Sequence, residues 1–195
     1  MKPKDRGRVV TRRSALVGLA VLGGGVLGLR GKSHAARLRP PGAAADGAFE
    51  RKCIRCLRCV AVCPVKAIRF DSSLDLVGTD TPYIDSRERG CVLCMKCTEA
   101  CPSGALETLD ADPEIVHAEV RMGRPELDKD RCIAWKGSGE CRACYYACPY
   151  PDSAIRLEGM LLAPVFDEDA CVGCGLCDEA CPERARAITI RPKGA

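Results

Sequence analysis

Aromatic residues are scarce in this chain: one Trp, four Tyr and three Phe among 195 residues. A core of large rings would be thin, so something other than aromatic packing must hold the fold. Histidine is rarer still. His34 lies in the N-terminal segment and His117 reads as a surface residue rather than a ligand, which leaves general acid–base catalysis poorly supplied. No basic patch interleaved with aromatics occurs, and this argues against a nucleic-acid partner. A long hydrophobic run is missing as well. Ala15 to Leu29 is apolar but holds only 15 residues, five of them Gly, where a membrane span needs about 20.

The body of the chain also lacks an excess of positive charge. The formal net charge of +4 comes from residues 1–36, which carry eight Lys/Arg and one Asp. The remainder carries 22 Lys/Arg against 25 Asp/Glu. Arg55 and Arg58 sit among cysteines and read as a solvated face. In the N-terminal segment, Lys2, Lys4, Arg6, Arg8, Arg12 and Arg13 precede the apolar stretch. That order is the pattern of a signal peptide, with candidate cleavage sites at Ser33-His34-Ala35 and Ala35-Ala36. Thr11, Arg12, Arg13 and Leu16 resemble a twin-arginine export signal, with Ala15 where such signals usually carry Phe. That route implies export after folding around a cofactor inserted in the cytoplasm.

Cysteine is what the chain has in excess, at 16 of 195 residues. Such a level belongs to disulfide scaffolds or metal proteins. The cysteines fall in four groups whose first members are Cys53, Cys91, Cys132 and Cys171, spaced by 38, 41 and 39 residues. A period this steady is an internal repeat. The last three groups follow a Pro-x-apolar-Asp tetrad, at Pro82–Asp85, Pro125–Asp128 and Pro164–Asp167. Each group is followed by a short apolar run: Ala67–Phe70, Ala105-Leu106, Ala154–Leu157 and Ala187–Ile190. Each unit therefore reads as strand, cysteine loop, short helix, strand. Leu157 to Val165 reads as a hairpin broken at Gly159.

Three groups share one spacing: Cys53, Cys56, Cys59 and Cys63; Cys91, Cys94, Cys97 and Cys101; Cys171, Cys174, Cys177 and Cys181. Each is C-x2-C-x2-C-x3-C-P, the run that bacterial ferredoxins use for [4Fe–4S] clusters. Two-residue gaps let a tight loop wrap three thiolates around one cluster, and the fourth ligates the cluster of a partner motif. Soft thiolates suit iron–sulfur chemistry. Zinc ribbons pair C-x2-C knuckles instead, and sixteen disulfide-forming cysteines would have many wrong partners. The third group is stretched. Cys132 is separated from Cys141 by eight residues, while Cys141, Cys144 and Cys148 keep the usual spacing. The insertion carries Trp135, which reads as a packing lid beside a cluster or as part of a docking surface.

Pairing is open at this stage. A local scheme groups Cys53, Cys56, Cys59 with Cys101; Cys63 with Cys91, Cys94, Cys97; Cys132, Cys141, Cys144 with Cys181; and Cys148 with Cys171, Cys174, Cys177. An interleaved scheme, first motif with fourth and second with third, fits the spacing equally well. The expected fold class is α+β: two packed bacterial-ferredoxin-like modules with short helices and small antiparallel hairpins. The expected organisation is a signal segment over 1–36, a linker over 37–50, and two-cluster modules over 51–110 and 111–195. Four oxidised clusters would bring the exported body to a charge of roughly −11.

The four groups, the stretched third group, the double-arginine signal and Arg39-Pro40-Pro41-Gly42-Ala43 ahead of Cys53 together resemble the NapG/MauM family of ferredoxin-type proteins. The resemblance implies an exported electron carrier with four [4Fe–4S] clusters and no catalysis of its own. It implies two partners: a membrane-bound protein that oxidises quinol, and a periplasmic redox enzyme such as a nitrate reductase. It implies a place in the periplasm or on the outer face of the cytoplasmic membrane, with association through the partner or an uncleaved signal. Two other roles stand beside this one. One is a maturation factor for an exported enzyme such as methylamine dehydrogenase; the other is the iron–sulfur subunit of a molybdenum oxidoreductase.

Overall fold

A computed structural model describes residues 37–44, 47–70 and 81–193. The signal segment expected over 1–36 lies outside the described residues. Ala35–Ala195 forms one compact unit, α+β in class, with short helices and two-stranded antiparallel sheets. In chain order the elements are α1 (Ala48–Lys52), α2 (Arg58–Val62), β1 (Ile68–Arg69), β2 (Tyr83–Ile84), α3 (Lys96–Glu99) and α4 (Pro113–Glu119). Then come β3 (Gly123–Leu127), α5 (Ala143–Ala147), β4 (Ile155–Glu158), β5 (Ala163–Phe166), α6 (Leu176–Ala180) and β6 (Ile188–Pro192). Among the described residues no helix is long and apolar enough to cross a membrane.

The same arrangement occurs twice. In each half an inner hairpin joins the two cysteine motifs, and an outer pair brings the start of the half beside its end. The inner hairpins are β1 with β2 and β4 with β5. The outer pair of the second half is β3 with β6, with Pro125 opposite Ile190. Alternate residues along these two strands are buried, the period-2 pattern of a half-buried sheet. In the first half the outer pair is reduced to a bridge, Ala43 opposite Leu106, with the Ala44 amide donating to Ala105 O at 3.2 Å and the Glu107 amide to Gly42 O at 2.7 Å.

That bridge corrects the reading of 37–50 as a linker. Leu38, Pro40 and Pro41 are buried, and the Ile84 amide donates to Leu38 O at 2.7 Å. Arg39 reaches the carbonyls of Thr81 and Pro82 and pairs with Glu50. The Pro-Pro pair presets an extended backbone, and that extended stretch is what the first half uses as its outer strand. The boundary expected between 110 and 111 is followed directly by α4. Asp112 caps it by accepting from the amides of Glu114 and Ile115 at 2.9 and 3.2 Å, and Pro113 fits the first turn. Its apolar contribution is small: Val116, and Val120 just beyond its end.

Large side chains do little of the core packing. Phe49 is the one buried ring; the rest are Leu38, Ile68, Ile84, Met95, Ile155 and their neighbours. Fully burying each such aliphatic contributes about 1.5–3 kcal/mol. Cys97, Cys144, Cys174 and Cys177 belong to the same buried cluster, so the sulfur sites form part of the core.

The halves meet along a seam of close backbone approach. A β-carbon on Gly175 would lie 2.4 Å from Ser86 Cβ. A β-carbon on Gly90 would come 2.7 Å from Leu176 N. Across this seam the buried Ser86 hydroxyl donates to Asp178 at 2.8 Å, and the Gly90 amide donates to Glu179 at 2.7 Å.

Candidate metal centre

Each regular cysteine loop is shaped by two left-handed residues. They are Arg55 and Leu57 (φ 56° and 59°), Leu93 and Met95 (56° and 52°), and Gly173 and Gly175 (74° and 79°). These reversals turn three successive thiols towards one side. The third cysteine of every motif lies within a short helix: Cys59 in α2, Cys97 in α3, Cys144 in α5, Cys177 in α6. The fourth lies at or just after the helix end, where Cys63, Cys148 and Cys181 are already extended. The proline that follows each cannot continue the helix, so the fourth thiol leaves its own loop.

The fourth thiol is directed to the neighbouring loop. Cys63 lines a cavity with Cys91, Cys94 and Cys97. Cys181 lines another with Cys132, Cys141 and Cys144. Cys59 feels the charges of Cys53, Cys56 and Cys101. Cys171 and Cys174 feel that of Cys148. The two cavities and these couplings follow the local scheme rather than the interleaved one. Helix packing of α2 on α3 and of α5 on α6 produces this pairing. The stretched third motif still brings Cys132 beside Cys141 and Cys144.

The sets also have an order. α2, which carries Cys59, packs on α3, which carries Cys97. The Cys91 amide of the second motif donates to Cys174 O of the fourth at 2.7 Å. α6, which carries Cys177, packs on α5, which carries Cys144. Numbered by their leading motifs, the sets run one, two, four, three.

The donor set fits iron–sulfur clusters. All sixteen cysteines are free of disulfides. Among the described residues no three His, Cys, Asp or Glu side chains close on a single-ion position; the thiols face one another across cavities. Backbone amides point at several sulfurs: Ala67 to Cys63 at 3.3 Å, Leu93 to Cys91 and Gly173 to Cys171 at 3.4 Å, Leu106 to Cys101 at 3.4 Å. Such dipoles favour thiolate and tune a cluster's potential. Burial acts in the opposite sense. It pushes the thiols of Cys91, Cys97, Cys144 and Cys174 up to about 12 and that of Cys59 to about 11, with neighbouring thiols adding to the effect. At Cys101 burial also works upward, but hydrogen bonds from the Leu106 amide and from Ser103 outweigh it and leave the thiol below its ordinary value.

Three side chains near the sets take roles that differ in how far the sequence revealed them. Trp135 stays at the surface, where its Nε1 donates to Pro164 O at 2.9 Å and Lys129 lies 4.1 Å from its ring centre. His117 is more than a surface residue. It stacks on Tyr150 at 4.3 Å, and its Nε2 lies 3.0 Å from Ala170 O, tying α4 to the second half. Asp178 was not singled out from sequence at all. It is fully buried on α6, accepts from Ser86, and faces Arg186 at 3.8 Å. The sequence signal was the odd placement of Asp between Cys177 and Glu179 in a short buried helix.

Four all-thiol sets on ferredoxin-type loops define an iron–sulfur electron-transfer protein. The 4Fe-4S dicluster domain matches residues 52–105 and 90–151, and the 4Fe-4S binding domain matches residues 164–187. A ferredoxin-type protein NapG of Haemophilus influenzae is 39% identical over 194 residues, spanning 91% of this chain and 66% of its own length. The ferredoxin-type protein NapG of Escherichia coli is 35% identical, spanning 90% of this chain and 80% of its own length. The methylamine utilization ferredoxin-type protein MauM of Methylobacillus flagellatus is also 35% identical, spanning 98% and 85%. The chain belongs to the NapG/MauM family of ferredoxin-type proteins, and its cofactors are four [4Fe–4S] clusters.

Proposed function

We propose that the sixteen cysteines hold the clusters in the four local sets, and that the chain is a non-catalytic electron carrier exported folded by the twin-arginine route. It stands in the periplasm or at the outer face of the membrane. There it takes electrons from a membrane partner that oxidises quinol and passes them to a periplasmic reductase of the nitrate-reducing kind. Residues 51–110 and 111–195 act as two two-cluster modules. The observation that carries this reading is the unbroken order of thiol sets from the first motif to the third. When bound, the clusters supply one-electron chemistry. The chain's own part is to fix the thiols, exclude water from the inner sets and aim amides at the sulfurs. A second reading, service to the maturation of a methylamine-oxidising enzyme, rests on the likeness to the methylamine utilization protein, which spans 98% of this chain.

The test is an anaerobic redox titration of the purified, iron-loaded chain followed by EPR. Four reversible one-electron cluster signals are expected. Properly folded chain without iron, and without such signals, would overturn the carrier reading. Mixing the reduced chain with a periplasmic nitrate reductase separates the two roles. Turnover of nitrate supports the first, and its absence beside restored maturation of methylamine dehydrogenase supports the second.

A further inference from the structure

The first cysteine loop faces outward where its counterparts face inward. Residues 54–58 are exposed without interruption, Ile54 at 63% and Leu57 at 37%. In the second motif the position of Leu57 is taken by Met95, fully buried, and that of Arg55 by Leu93, also buried. In the fourth motif the same two positions are Gly175 and Gly173, pressed against Ser86 and Gly123. All six share the left-handed backbone, which disfavours a β-carbon. The second motif offsets that strain by burial and the fourth avoids it with glycine. Leu57 does neither within this chain.

Charge distinguishes the same region. Residues 47–70 carry six Lys/Arg and one acid, Glu50, which is paired with Arg39. Residues 81–193 carry 14 Lys/Arg and 20 Asp/Glu. Lys52, Arg55, Arg58 and Lys66 make no ion pair among the described residues. Cys56, a member of the first thiol set, is exposed in the middle of this basic and apolar stretch. It also belongs to the terminal set of the order derived above.

We propose that this face docks a redox protein whose own surface offers an apolar centre ringed by carboxylates. The proposal rests on the electron-carrier reading and names the partner chemistry of one end. The basic N-terminal segment has the wrong sign to cover the face. Complementary charge would steer the encounter and fix its register, while Ile54 and Leu57 supply the buried centre.

The probe is a flavodoxin, a small acidic one-electron protein, titrated into the iron-loaded chain by calorimetry. Binding is expected at low salt and should weaken at least tenfold between low and physiological ionic strength. The double variant Lys52→Glu/Arg58→Glu should weaken it at least tenfold while keeping wild-type iron content and EPR. Arg58→Glu/Lys66→Glu, which reverses a different pair of charges in the same stretch, should weaken it in the same direction. Equal binding by all three chains, or no binding by the wild type, would overturn the proposal. So would co-sedimentation of wild type with phosphatidylglycerol vesicles in place of flavodoxin binding, since the face would then belong to an anionic membrane. Residues 71–80 carry three Asp, and binding gained only when they are replaced by a glycine–serine linker would assign the face to that segment instead. Loss of iron from the wild type would sink the carrier reading itself, a failure distinct from any of these.

Discussion

Cys101 follows α3, a helix that already holds Cys97, yet the thiols it joins are Cys53, Cys56 and Cys59 of the motif before it. The extended or turning backbone after each short helix makes this exchange possible, and the next proline enforces it. Replacing Cys101 by Ser should therefore remove the first-motif cluster and leave the one that Cys91, Cys94 and Cys97 share with Cys63. Iron should fall by about a quarter. Loss of a second-half EPR signal instead would refute the local assignment. Single residues also explain why the loops are not interchangeable. Arg55, Leu93 and Gly173 occupy equivalent positions with the same handedness, and their surroundings are open, buried and crowded in turn.

Among the elements, the seam makes the sharpest demand. Gly175→Ala must place a β-carbon 2.4 Å from Ser86 Cβ on a left-handed backbone, whereas Gly137→Ala meets nothing within 4 Å. Both substitutions carry the conformational cost of about 1 kcal/mol. Only the first must also push two backbones apart, and it should cost about 2–4 kcal/mol in all. Rates of cluster bleaching in denaturant would report the difference, and equal rates would show that the seam is not rigid. Much of this level was legible in the sequence. The tetrads at Pro82, Pro125 and Pro164 became β2, β3 and β5, three of the four runs after the fourth cysteines became their partners β1, β6 and β4 while Ala105-Leu106 forms only a bridge, and Gly159 does break the β4–β5 hairpin. Two elements were hidden by composition. Residues 37–50 looked like a free linker because Pro, Gly and Ala say nothing about who packs on them; Leu38 and the Ala43 bridge did the packing. The Asp112-Pro113 start of α4 was a readable cap, masked by its position in an expected boundary. Pairing was beyond the sequence altogether, because equal spacings are blind to which helix packs on which.

For the whole molecule, the sulfur sites replace the missing rings. The core's buried cluster includes four cysteines and one aromatic, so removing iron removes what those cavities are built around. Anaerobic chelation should abolish the far-UV circular dichroism of the fold, as metal-coupled folding requires; a native spectrum from iron-free chain would refute this. The direction of the pH effect follows from the raised thiols. Held at about 12 by burial, Cys91, Cys97, Cys144 and Cys174 keep their protons at neutral pH until a metal displaces them. Loading iron and sulfide into the reduced chain should therefore release protons, and acid should oppose loading. A pH-stat at pH 7 should call for added base, and no demand for base would contradict the burial argument.

The local pairing has a consequence for how the protein is made. All eight ligands of the first two sets lie between Cys53 and Cys101, and all eight of the others between Cys132 and Cys181. As the chain leaves the ribosome, the first half holds a complete set of ligands well before the second half exists. N-terminal parts tend to fold first during synthesis, so the first two clusters can be installed on a nascent chain. Under interleaving, the first motif would have had to wait, thiols bare, for nearly the last residues to be translated.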